Sequence, residues 1–182
     1  EAVGVILSHP LAWIARAPAK LHATFDYFGA APWYLHASNA ARFPHGAKTA
    51  LGAIETVVSR ALLVLALVAI GRRNGPRARA RRAVAAAGVI ACVLFGLLGA
   101  IGHASVVLGA GGAIGYLALA IAVALLGRAS LATPLLPASA AVILATAATH
   151  AVFFGAGRYG LVVVPFVTAL AFARGATEPT RR

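Results

Sequence analysis

The side chains that could do chemistry in this sequence are few, and their spacing rules out most enzyme sites. Only four residues are acidic, Glu1, Asp26, Glu55 and Glu178. Glu1 and Glu178 sit at the ends, so a pair of close carboxylates for general acid–base work would have to come from Asp26 and Glu55. A Ser-His-Asp triad would need Asp26, and no G-x-S-x-G nucleophile elbow is present. His9, His22, His36 and His45 show neither i, i+4 spacing nor H-E-x-x-H, so no metal site is expected. The lone Cys92, inside an apolar run, excludes a disulfide framework and a Cys-based metal site. "GAGGAIG", Gly109–Gly115, has the glycines of a dinucleotide loop but not the strand–turn–helix unit around it, and no cofactor is expected.

What remains is cationic. In "HAVFFGAGRYGLVVVPF", His150–Phe166, Arg158 and Tyr159 stand among Gly155, Gly157 and Gly160, between two apolar runs. A guanidinium at a membrane interface can hold a lipid phosphate bidentately, and a tyrosine ring suits the same depth. His150, near the end of the preceding run, can face the same pocket. The simpler reading is a pair of interfacial anchors. Glu55 and Arg60 lie inside another apolar run. Ionisable groups there are costly and face a bundle interior or a polar cavity, unless they snorkel to the interface or pair with another helix.

The elements that must position these groups follow from composition. The chain is 61% hydrophobic and 11% charged, whereas a soluble domain is about a quarter charged. Five apolar runs are expected to be helices: Thr49–Gly71, Ala83–Gly102, Gly111–Gly127, Leu131–Phe154 and Gly160–Ala173, the last short for a crossing. None shows the period-two alternation of a barrel strand. The fold class expected is therefore an all-α, polytopic transmembrane bundle of about five helices. Residues 1–47 carry both Trp residues, and Leu11, Ile14, Leu21, Phe25 and Phe28 fall at helical spacing. They read as an external interfacial helical segment, followed by the bundle at 48–175 and a tail at 176–182. Gly88, Cys92, Gly96 and Ala100 form a small-residue stripe that reads as helix packing.

Sixteen Lys and Arg give a net charge of +12. They flank apolar runs instead of lining a polar face, so no nucleic acid partner is expected. The six arginines of "GRRNGPRARARR", Gly71–Arg82, mark an inner loop. Arg128 and the tail then also fall inside, and residues 1–47, the 102–111 loop and Arg158 outside. An anionic-lipid contact is a second reading of the arginine-rich loop. The absence of Met and an external N-terminal segment lead to the expectation of upstream transmembrane helices in the same parent chain.

The segment "HAVFFGAGRYGLVVVPFVTALAF" resembles the closing helices of bacterial polytopic glycosyltransferases of the GT-C superfamily, the protein-mannosyltransferase-like and aminoarabinose-transferase-like enzymes. His150, Phe153, Phe154, Gly155, Arg158, Tyr159 and Pro165 carry the likeness. Gly160 and Val162–Val163 depart from it where the family has a further basic residue and a Pro. "SHPLAWIARAPAKL", Ser8–Leu21, resembles the family's late external segment. The resemblance implies a bacterial inner-membrane location and transfer of a sugar from a polyprenyl-phosphate carrier to an acceptor on the external face. Lys20, Arg158, Tyr159 and His150 would then meet the lipid phosphate. The catalytic base is unknown, because the family's base lies near the N-terminus of the full enzyme. The alternatives are a transporter or channel subunit with a polar cavity near Glu55 and Arg60, or a non-catalytic structural membrane subunit.

Overall fold

The computed structural model describes residue 4 and residues 8–26, 30–75, 77–100, 111–153 and 157–173. Phe28, the 102–111 loop up to residue 110, Phe154, Gly155 and the tail from residue 174 onward lie outside the described residues. Within them the chain is helical, with no strand.

Two short helices come first, α1 (Pro10–Ala15) and α2 (Ala17–Phe25), each with a Pro in its opening turn, where a missing N–H costs nothing. Then come α3 (Ala30–Ser38), α4 (His45–Gly71), α5 (Ala78–Ala100), α6 (Gly111–Ala124) and α7 (Leu135–Val152). A 3-10 turn, Gly127–Ala132, joins α6 to α7 and starts at Gly127, whose φ of 60° suits a residue without Cβ. The chain closes with α8 (Gly157–Gly160), a 3-10 turn at Leu161–Val163 and α9 (Val164–Phe172).

Among the described residues three helices are long and apolar enough to cross a membrane: His45–Gly71, Ala78–Leu98 and Leu135–Val152. Only 28% of the most apolar window of each is buried in the bundle. Ile54, Val57, Leu65, Ile90 and Leu97 stand on the outside, where water would penalise them and hydrocarbon would not.

The other two apolar runs are shorter within the described residues. α6 is described over 14 residues, about 21 Å at 1.5 Å per residue. The last apolar run is divided by the 3-10 turn, and Pro165 falls in the first turn of α9. α5 also starts earlier than expected, at Ala78 instead of Ala83. Half of the arginine-rich segment is thus helix, and one of its arginines is internal. The Arg81 side chain is fully buried; its Nε donates to the Ile70 carbonyl at 3.1 Å and its guanidinium also reaches the Arg73 carbonyl. It thereby adds donors to carbonyls at the end of α4, where the intrahelical ladder runs out.

The core lies where α4, α5, α6, α7 and α9 meet, around Leu63, Leu67, Ile70, Tyr116, Leu119, Ile143 and Leu170. α5 and α6 share the most extensive contact between elements. Their backbones approach closely through small residues. A Cβ on Gly88 would meet the Ala118 Cβ at 2.8 Å, and one on Gly115 would collide with the Cys92 Sγ. The stripe of Gly88 and Cys92 is therefore the seam for α6.

Candidate functional site

The N-terminal segment does not lie wholly at the periphery. α1 does: Leu11 and Ile14 are 80% and 65% exposed. α2 instead packs on α6, α7 and α8, and its end is internal, with Thr24 and Phe25 buried and the Phe25 ring 4.9 Å from that of Tyr116. The reason is Asp26, the residue that ends α2. Its carboxylate is at the N-terminus of α6, accepting from the Gly112 N–H through Oδ1 and from the Ala113 N–H through Oδ2 at 3.3 Å. A helix N-terminus presents unpaired N–H groups and the positive end of the macrodipole, so a buried carboxylate is matched there twice.

Arg60 completes the match from α4. Its Nη2 lies 2.8 Å from Asp26 Oδ1, and its Nη1 donates to the Cys92 carbonyl at 3.3 Å. His22, one turn before Asp26, places Nδ1 3.3 Å from Oδ2. Gly112 is needed for the approach, because a Cβ there would run into the Phe25 carbonyl and the Asp26 carboxylate. The Arg60 guanidinium, the Gly112 and Ala113 N–H groups and His22 thus all converge on one buried carboxyl.

The other end of α2 uses the same electrostatics with the sign reversed. The Lys20 ammonium donates to the carbonyls of Val152 at 2.8 Å and Ala151 at 3.4 Å, at the C-terminus of α7. It also lies 3.6 Å from the centroid of the Trp13 ring. Partial burial first, and the Arg16 charge second, lower its pKa. α2 is thus held by a cation at the negative end of one helix and an anion at the positive end of another.

The remaining expected site residues form a second, superficial cluster. Arg158 donates through Nη1 to the Tyr34 hydroxyl and through Nη2 to the Tyr159 hydroxyl at 2.7 Å. The Tyr159 ring stacks on His150 at 4.7 Å between centroids. α8 contacts both α2 and α3, which brings Tyr34 to Arg158 across 124 positions of sequence. Arg158, Tyr159 and His150 are therefore together, and Lys20 is bound next to them, on the last carbonyls of the helix that carries His150. Tyr34 is the member that sequence reasoning missed. Its only signal was its place beside Trp33 in the aromatic N-terminal segment.

Glu55 and Arg60 point to different sides of α4. Five positions apart, they are about 140° apart around a helix. Arg60 turns inward to Asp26, while the Glu55 Oε2 is buried without a hydrogen-bond partner among the described residues. Among the described residues no three of His, Cys, Asp and Glu converge as metal ligands would. No known protein family, curated protein or solved structure was found to match the chain.

Proposed function

We propose that the chain is the C-terminal membrane portion of a glycosyltransferase that takes a sugar from a polyprenyl-phosphate carrier on the external face of the bacterial inner membrane. The observation that carries this reading is the exposed guanidinium of Arg158, buttressed by Tyr34, Tyr159 and the His150 ring. A guanidinium held in a fixed plane by two phenols, on the surface beside apolar helices, is suited to a phosphate whose tail lies in lipid. Tyr34 and Tyr159 can exchange their hydrogen bonds with Arg158 for contacts to the incoming phosphate. Lys20 belongs to the site as the group that holds α2 against α7, its carbonyl partners Ala151 and Val152 following His150 directly in the chain. The orientation that goes with this reading puts the Arg158 cluster outside and the arginine-rich turn inside.

Arg158→Ala in the full-length protein should abolish transfer from a polyprenyl-phosphate sugar, with expression and detergent monodispersity unchanged, and Arg158→Lys should retain part of it. Unchanged turnover in Arg158→Ala would remove the cluster from the site.

A second reading, a transporter or channel subunit, has its own support in α6. The described part of this helix starts beside Arg60, which lies about 16 Å along α4 from Gly71 at 1.5 Å per residue. With Arg72 and Arg73 taken as headgroup level, the ion pair falls near the middle of a ~30 Å hydrocarbon layer. Broken helices whose N-termini meet an anion at that depth are a transporter device. Glu55→Gln should then change flux in proteoliposomes, and absence of flux from the intact protein would end this reading.

A further inference from the structure

The arginine-rich end carries a feature that neither reading uses. A groove of about 360 Å³ runs between the end of α4 and the start of α5, lined by Val68, Ala86, Val89 and Ile90, with Arg72 and Arg82 among its walls. Its apolar wall is open to the outside, with Ile90 62% exposed. The two arginines are exposed, unlike Arg81 beside them, which is spent on capping α4.

Among the described residues no carboxylate pairs with them. The chain has no Asp or Glu between Glu55 and Glu178, so the second half of α4 and the whole of α5, α6 and α7 offer no carboxylate. Arg73, Arg77 and Arg79 add further positive charge to the same turn and helix start. An apolar groove on a lipid-facing surface, with two unneutralised guanidiniums in its walls, has the complementarity of one kind of molecule. That molecule has an acyl chain for the groove and an anionic headgroup for the arginines.

We propose that the α4–α5 groove is a binding site for an anionic phospholipid, its acyl chain along Val68, Val89 and Ile90 and its phosphate between Arg72 and Arg82. The site is independent of the Arg158 cluster, and it does not require the glycosyltransferase reading.

The test is lipid retention by the detergent-solubilised protein, read by native mass spectrometry and by the thermal unfolding midpoint, with phosphatidylglycerol against phosphatidylcholine. Phosphatidylglycerol should be retained preferentially and should raise the midpoint. Arg72→Ala with Arg82→Ala should weaken its binding by about tenfold or more, and Arg72→Lys with Arg82→Lys should keep most of it. Ala86→Trp, which fills the groove and leaves both charges, should block binding as well. Arg128→Ala, outside the groove, should bind as the parent does. Equal retention of the two lipids would overturn the proposal. So would equal weakening by Arg128→Ala and the double Ala variant, or unimpaired binding by Ala86→Trp; the last two variants decide the matter if the double variant does not fold.

Discussion

Two arginines, Arg60 and Arg158, show how differently one side chain is used within a single bundle. Arg60 is largely buried and meets a carboxylate that is also held by two backbone N–H groups and a histidine. Arg158 is exposed and meets two phenol oxygens, which a ligand can replace, and the Tyr159 ring. In the first environment the guanidinium has fixed internal acceptors, and withdrawing it leaves a buried charge. In the second the geometry is prepared but the charge is not neutralised. Burial and counter-charge, not residue type, separate the arginine inside the bundle from the one proposed to meet a phosphate.

Removing Arg60 should produce the largest effect on that contrast. Arg60→Ala leaves the Asp26 carboxylate buried without its counter-ion and should cost about 3–5 kcal/mol, read as a drop in the unfolding midpoint in detergent. Replacing both partners, with Asp26→Leu and Arg60→Met, should be far milder than either single change; a double variant as damaged as the singles would mean the pair is not one unit.

The next largest effect belongs to the seam that places the head of α6 in contact with Asp26. Gly115→Ala forces a methyl into the Cys92 sulfur and should cost about 1–3 kcal/mol. Gly46→Ala, which meets nothing within 4 Å, is the control and should be silent or slightly stabilising.

Lys20→Ala, which removes a cation from the end of α7, should cost roughly 0.3–1 kcal/mol. Arg158→Ala should leave the midpoint unchanged while removing transfer activity, the reverse of Arg60→Ala; a stability loss comparable with that of Arg60→Ala would erase the distinction.

Much of the scaffold was legible in the sequence, because the apolar runs of α4 and α7 have one stable form in hydrocarbon. The ends of the other elements were not. Runs of arginine look like loop until one of them, Arg81, is seen folded back on the carbonyls of α4. The Gly111–Gly127 run gives no sign in the sequence that Asp26 meets its first N–H groups. Arg158, Tyr159 and His150 could be grouped because they are near in sequence. Asp26 and Arg60 could not, since 34 positions separate them and helical periodicity does not say which helix a face will meet. The glycines of "GAGGAIG" carried a signal of close approach, but to a carboxylate and a sulfur of the same chain.

The most direct measurement is a pair of double-mutant cycles, one on Asp26 and Arg60 and one on Tyr34 and Arg158, each read as unfolding stability of the detergent-solubilised protein. The account predicts a coupling of about 2 kcal/mol or more for the first pair and none resolvable for the second. A first cycle without coupling, or a second one as strong as the first, would contradict the claim that the buried pair organises the bundle and leaves the surface arginine free for a phosphate.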